Sequence, residues 1–327
     1  MSVSQLLYLS IDRHPPELVA LIRGHLERAE FELVQMSYDD GVDALRDQLQ
    51  CSDLLFCAPG RSLEPAVYDG VDNLKLVQLW SSGFDKFDIN TPRNLGIPVA
   101  NNGGANRIAV AEHTIMLMLA VYKRLPENHA RTVEGRWSGN SHGMDMFLLR
   151  GKTLGLIGLG AIGREVALRA RAFGMDIVYS ERVRLSPQEE QDLGVRFMPL
   201  EELLAVSDIV SPHLHLTAET ERMLGEPELD SMKRGSVIIN VSRAQLIDNE
   251  HLLKALRNGH IGGAGFDVYE AEPTVDGDPL LTHPNVVCTP HAANTRDSHN
   301  MAMEACIDNL LRVHGGSKPT WVVNGVM

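Results

Sequence analysis

The sequence predicts an α/β protein of two doubly wound domains, and three observations carry that reading. The 327 residues exceed what a single core of roughly 100–200 residues organises. Apolar strand-like runs alternate with amphipathic segments along the chain, the signature of βαβ units on a mostly parallel sheet. The alternation restarts near residue 151, where GLIGLGAIGREV (155–166) sets a glycine triplet between a strand and a helix.

Taken in order, QLLYLS, FELVQM, DLLFCA, LKLVQL and IPVAN, between residues 5 and 101, are strands by length and residue type. Pro16–Ala29 and Gly41–Gln50 fill two of the gaps with helical spacing. Ile108–Tyr122 is apolar nearly all round, as in a helix buried on every side, whether in a core or against another domain or subunit. Pro126–Gly151 is long for a loop and weakly periodic, which reads as a functional or packing arm. TLGLIGL, DIVYS, DIVSPHL, SVIINV, GAGFDV and NVVCTPH then give six more strands.

A net charge of −13 repels phosphate backbones and anionic membranes, and no basic tract reverses it locally. Neither nucleic acid nor membrane is therefore an expected partner. The segment MSVSQLLYLSIDRHPPE lacks a basic n-region and does not read as a signal peptide. Cys51, Cys57, Cys288 and Cys306 form no CxxC pair, which fits reduced thiols in the cytoplasm. His113, His142, His213, His215, His283 and His299 show no metal-ligand spacing, so no metal is expected.

Alone, a GxGxxG is weak, but here Gly158, Gly160 and Gly163 follow an apolar strand and open a helix-period segment. In that context the glycines serve a tight turn, the close approach of a pyrophosphate, and helix–strand packing. The helix N-terminus adds free N–H groups and a positive dipole end. This is the Rossmann fingerprint. Glu181, at the end of the next strand, is placed to accept from a ribose 2′-OH and to repel a 2′-phosphate, which favours NAD. Arg182 and Arg184 are the residues through which NADP would be accommodated.

Three further stretches each follow an apolar strand: NVSRAQLIDN (240–249), FDVYEAEP (266–273) and TPHAAN (289–294). They set a guanidinium, carboxylates and an imidazole at the carboxyl edge, where open α/β sheets bind ligands. A dinucleotide can supply a hydride, and these groups can pair with an anion and move a proton. Arg243 offers a planar fork. His291 is the residue type that can give a proton near neutrality. Glu272 can hold the imidazole, because an adjacent anion favours its protonated form.

With these motifs, and with GFDKFD (83–88) and GIPVANNGGANRIAVAEH (96–113), the chain resembles the D-isomer-specific 2-hydroxyacid dehydrogenases over roughly two-thirds of its length. The resemblance implies that Arg243 binds substrate, that Glu272 and His291 form the acid–base pair, and that NAD is the cofactor. It also implies that the nucleotide domain is inserted into the substrate domain. Residues 1–100 and 296–327 would then form the substrate domain and 101–295 the NAD-binding domain.

Candidate cofactor residues are Gly158, Gly160, Ala161, Ile162, Gly163, Glu181, Arg182, Val241, Ser242, Asp267, Ala292 and Ala293. In the family the counterpart of Asp267 holds the nicotinamide amide; the other reading is a strand-end cap. Ser81, Ser82 and Gly83 match a loop whose N–H groups take the substrate carboxylate, although Ser81 stands where a glycine is common. A homodimer through the Ile108 helix and the Pro126–Gly151 arm is implied as well. Ala244, HAAN in place of HIG, and His215 in place of a proline depart from the family pattern and bear on substrate identity. Glyoxylate, hydroxypyruvate and larger 2-oxo acids are the candidate substrates. The alternatives are a phosphite or formate dehydrogenase on the same scaffold, with Glu272 speaking against formate, and a dinucleotide-sensing protein of the corepressor type.

Overall fold

A computed structural model describes residues 5–10, 16–29, 31–57, 60–137, 139 and 143–326. Ala58 of the DLLFCA run, His142, and residues 138, 140 and 141 of the arm lie outside these. The chain divides into two compact units, Met1–Asn106 with Arg296–Met327, and Arg107–Thr295.

The first unit carries β1 (Gln5–Ser10), α1 (Pro16–Arg28), β2 (Glu32–Ser37), α2 (Val42–Leu49), β3 (Leu54–Cys57), β4 (Leu76–Leu79), α3 (Asn90–Asn94) and β5 (Val99–Ala100). The second carries α4 (Arg107–Tyr122), α5 (Leu125–Val133), β6 (Thr153–Ile157), α6 (Ala161–Ala172), β7 (Asp176–Ser180), α7 (Pro187–Leu193), β8 (Val195–Phe197), α8 (Leu200–Val206) and β9 (Ile209–Pro212). It continues with α9 (Glu226–Ser231), β10 (Ser236–Asn240), α10 (Asn249–Arg257), β11 (Ile261–Phe266) and β12 (Val286–Cys288). Helix α11 (Arg296–His314) returns to the first unit.

Both sheets are parallel. The first runs β2-β1-β3-β4-β5 and the second β12-β11-β10-β9-β6-β7-β8. The second order reverses between β6 and β9, the switch point where doubly wound sheets hold ligands. Sheets covered on both faces need strands apolar on both sides, and β3, β4, β9 and β10 are buried throughout. In the first unit one core cluster gathers Leu7, Leu55, Val77 and Val99, and another Leu6, Tyr8, Phe56 and Leu76. In the second, Leu154, Leu156 and Tyr179 sit in one cluster and Ile157, Val178 and Val210 in another.

Two differences from the sequence reading have simple causes. Strand β8 was not anticipated: three residues with Arg196 at the centre are too short to register as an apolar run. The first unit extends past Asn101 to Asn106, because the side chains of Asn101 and Asn102 donate to the carbonyls of Ser82 and Trp80 and tie this stretch down. Helix α4 is buried at nine positions, yet Met116 remains exposed, so its apolar circumference is not fully covered within the unit.

Candidate active site

Strand register in the second unit aligns the candidate residues along one edge. Ser180, Ile157 and Pro212 are partners in one row; Asn240, Phe266 and Cys288 are partners in another. Gly158, Glu181 and His213 therefore leave neighbouring strands one residue past the first row. Asp267 does so past the second, and Arg243 and His291 follow three residues past it.

Sterics shape the glycine loop. Gly158 has φ +92°, and a Cβ there would meet the His213 carbonyl oxygen at 2.7 Å. A Cβ on Gly163 would lie 2.4 Å from the Gly158 carbonyl oxygen, so helix α6 can start this close to β6 only without a side chain. Gly160, with φ −69°, faces open space instead. It precedes Ala161 and Ile162, the first residues of α6, whose N-terminal amides lack intrahelical partners. Glu181 reaches back to this loop: its Oε2 accepts from the Leu159 N–H at 2.9 Å and its Oε1 from the Arg182 N–H at 3.2 Å. Arg182 itself is exposed.

Beside the loop, Ser211 Oγ donates to the Ile239 carbonyl at 3.0 Å, so the 3.1 Å contact with His213 must be donated by Nε2. The Nδ1 of His213 is then a bare acceptor, buried and without a partner. Burial pushes its pKa down to about 4, which keeps the ring neutral. A cradle with one open glycine, a helix N-terminus and an unpaired buried acceptor fits a dinucleotide.

Side chains, rather than glycines, shape the second row. Asn240 accepts from the Ser242 N–H at 3.0 Å and donates to the Arg243 carbonyl at 2.8 Å, folding the turn that carries the guanidinium. Ser242 Oγ donates to the Pro212 carbonyl at 2.7 Å, and Val241 is buried beneath. Arg243 donates from Nη1 to the Ser242 carbonyl at 2.7 Å. His291 Nδ1 lies 3.1 Å from both Glu272 oxygens, and the imidazole is half exposed while the carboxylate is 26% exposed. The Glu272 Oε1 also accepts from the Tyr269 N–H at 3.1 Å.

Asp267, at 1% exposure, receives three hydrogen bonds, from Thr289 Oγ1 at 2.6 Å, the Ala292 N–H at 2.8 Å and the Ala293 N–H at 3.1 Å, and His113 Nε2 lies 3.3 Å away. Burial works to raise its pKa, but the hydrogen bonds from His113, Thr289 and Ala292 hold the carboxyl below its ordinary range. The structure thus shows Asp267 as the cap of the 289–293 turn. His113, for which the sequence showed no metal-ligand spacing, and Thr289, the first residue of the TPHAAN stretch, enter the edge through it.

In the first unit the Trp80–Gly83 loop is held by its carbonyls. Those of Trp80 and Ser82 accept from Asn102 and Asn101 side chains, that of Ser81 from the Asn102 N–H, and that of Gly83 from Ser81 Oγ. Ser82 Oγ lies 2.7 Å from the side-chain oxygens of Asn102 and Asn106.

One metal-like grouping exists among the described residues: ligand atoms of Glu226, Asp230 and His251 all lie within 4.8 Å of one another. His251 faces Glu226 through Nδ1 (3.6 Å) and Asp230 through Nε2 (3.2 Å), so each ring nitrogen is turned to a different carboxylate. No helix among the described residues is long and apolar enough to cross a membrane.

A Rossmann sheet with a glycine cradle, and an imidazole–carboxylate pair on the same edge, defines the class of nicotinamide-dependent oxidoreductases. The profile of the D-isomer specific 2-hydroxyacid dehydrogenase NAD-binding domain matches residues 115–293. The chain is 38% identical to a glyoxylate reductase of Korarchaeum cryptofilum over 80% of each chain, and 34% identical to one of Thermococcus onnurineus over 95% of this chain and 93% of that. A crystal structure of a glyoxylate reductase from Paecilomyes thermophila superposes with a TM-score of 0.85 at 29% identity, covering 98% of both chains. This protein belongs to the D-isomer specific 2-hydroxyacid dehydrogenase family, and with it to the enzymes that interconvert 2-oxo and D-2-hydroxy acids using NAD(P).

Proposed function

We propose that this enzyme reduces a small 2-oxo acid of the glyoxylate or hydroxypyruvate type with NADH, using Arg243, Glu272 and His291. The observation that carries the reading is the 3.1 Å contact of His291 with both Glu272 oxygens, at the strand row that also bears Arg243. Bound NADH supplies the hydride. The planar fork of Arg243 pairs with the substrate carboxylate. His291, with Nδ1 turned to Glu272, keeps Nε2 for the carbonyl oxygen and delivers the proton there. Glu272 holds the ring in that orientation through its two contacts at Nδ1. Ser81, Ser82 and Gly83 supply backbone N–H groups to the carboxylate, a role that the occupied carbonyls of their loop support.

Residues Gly158, Gly160, Ala161, Ile162 and Gly163 hold the pyrophosphate, with Glu181 at the adenosine ribose and Arg182 beside it. Val241, Ser242, Asp267, Ala292 and Ala293 border the nicotinamide end. The first unit serves as the substrate domain and the second as the NAD-binding domain. Relatives named glyoxylate reductase at 34–38% identity support the small substrate.

The working form is a homodimer. Between residues 125 and 148, Leu125, Val133, Trp137, Met144, Phe147 and Leu148 are each more than half exposed, an apolar arm suited to a second copy. Four unpaired thiols support a cytoplasmic location.

A panel of 2-oxo acids assayed with NADH and NADPH tests the substrate and cofactor together. Glyoxylate or hydroxypyruvate should lead, with higher kcat/KM for NADH; a preference for NADPH would remove Glu181 from the ribose. Arg243→Lys should lose about 1.5–3 kcal/mol of transition-state binding, because charge stays but the bidentate geometry goes. Unchanged kcat/KM in that variant would exclude Arg243 from the site.

A further inference from the structure

The proposed proton donor sits on a backbone that needs support. His291 has φ +53°, in the left-handed region that residues other than glycine enter only when neighbours impose it. Its own N–H donates to the Thr289 carbonyl at 3.0 Å, and that carbonyl also accepts from Tyr269 Oη at 2.7 Å. The next two amides, Ala292 and Ala293, donate to separate oxygens of Asp267. One buried carboxylate therefore fixes the turn from below.

What fixes the carboxylate is a short chain of hydrogen bonds. Thr289 Oγ1 has one hydrogen and two acceptors in reach, Asp267 Oδ1 at 2.6 Å and the Phe266 carbonyl at 3.2 Å, of which the carboxylate is the closer. The 2.8 Å contact between Thr289 Oγ1 and His113 Nε2 must then be donated by the imidazole. The same Nε2 also lies 3.3 Å from Asp267 Oδ1, so the ring sits against both members of the Thr289–Asp267 pair. His113 is on α4, far from residue 289 in sequence, in a helix otherwise apolar nearly all round. A polar ring in that position is accounted for by the two oxygens that it meets.

We infer that His113 and Thr289 are positioning residues for the reaction, setting the His291 turn through Asp267. The inference rests on the reading of His291 as proton donor. Both residues act through Asp267, so their effect should fall on turnover rather than on substrate affinity. Deleting the imidazole donor removes one of the groups that hold Thr289 and Asp267, and loosens the constraint that keeps His291 at its positive φ.

Full-length His113→Leu, assayed with glyoxylate and NADH, should lose kcat by about tenfold or more, as misplacement of a catalytic group by a fraction of an ångström does. The KM for glyoxylate, and the NADH Kd from fluorescence quenching, should stay within about threefold. His113→Gln places an amide N–H near the Nε2 position and should recover most of kcat. Thr289→Val should reproduce the loss and Thr289→Ser relieve it. The double variant His113→Leu/Thr289→Val should be no worse than the poorer single one, because the two act in series.

Wild-type kcat in both His113→Leu and Thr289→Val overturns the inference, as does a Gln variant no better than Leu. A kcat loss matched by an equal loss of NADH affinity overturns it too, since the chain would then serve the cofactor. His291→Ala, run alongside, separates the levels. If that variant keeps its kcat, the proton-donor reading fails; if it alone is impaired, only the positioning chain fails.

Discussion

The two halves of the carboxyl edge in the second unit are built by opposite means. After β6, the loop exists because side chains are missing: Gly158 and Gly163 sit where a Cβ would strike backbone at 2.7 and 2.4 Å. After β10, β11 and β12, the turns exist because buried polar side chains are present, with Asn240 folding one and Asp267 capping another. A ligand that brings its own charge needs room and open N–H groups. A reaction that moves a proton needs side chains held at set positions. On the proposed function, steric emptiness makes the cofactor-binding half and polar satisfaction makes the reacting half.

Breaking the polar half should have the largest effect. His291→Ala removes the proposed donor and should lower kcat by about 10²–10⁴-fold, with a smaller loss in Glu272→Gln, where the ring stays but loses its carboxylate partner. Steady-state rates beside NADH binding check this, and intact turnover in both would place the proton source elsewhere.

His213 tests the boundary between the halves through pH. Folded, its ring takes up a proton only near pH 4, whereas an unfolded histidine does so near 6.5. Between those values the unfolded chain binds more protons. The stability owed to His213 is therefore complete above about pH 6.5 and lost as the pH falls toward 4, by at most about 3 kcal/mol. Denaturant midpoints at pH 7 and pH 5 should lie further apart for the wild type than for His213→Gln, which keeps the donor to Ser211 while His283 and His299, also lowered by burial, act alike in both.

The glycines sharpen the other side. Gly163→Ala should cost about 1–3 kcal/mol, because its contact is backbone that cannot swing away, and Tm reads it directly. Gly160→Ala should change stability by no more than about 0.5 kcal/mol, since nothing lies within 4 Å of the new methyl. Yet it should weaken NADH binding, because the open space is the part that the pyrophosphate requires. Equal Tm losses at both positions would erase the distinction between structural and ligand-facing glycines.

These mechanisms also decide what could be read in the sequence. The glycine loop was legible because its constraint is local: strand, triplet and helix lie within about twenty consecutive residues. Arg243, Glu272 and His291 were legible as motif residues behind apolar strands. The Asp267 clamp was not, because its partners His113 and Thr289 come from α4 and from the turn beyond β12, and only packing brings them within 3.3 Å of the carboxylate. His113 gave one signal, a polar residue inside an almost wholly apolar helix. His213 gave none, since its unpaired nitrogen depends on which way Ser211 spends its hydrogen. Strand β8 escaped for want of length.

The interrupted first unit also sets an order of events on the ribosome. Residues Arg107–Thr295 are one uninterrupted stretch, so the second unit can fold as soon as it has emerged. The first unit is complete only later, because one of its two cores, around Leu6, Tyr8, Ile22 and Leu26, also takes Met303, Cys306, Leu310 and Val313 of α11. At about 5–20 residues per second, the insertion of roughly 190 residues delays that helix by about 10–40 s. For that interval the nascent β1–β5 region carries an open apolar face, and its safety from aggregation rests on whatever shelters it until translation ends.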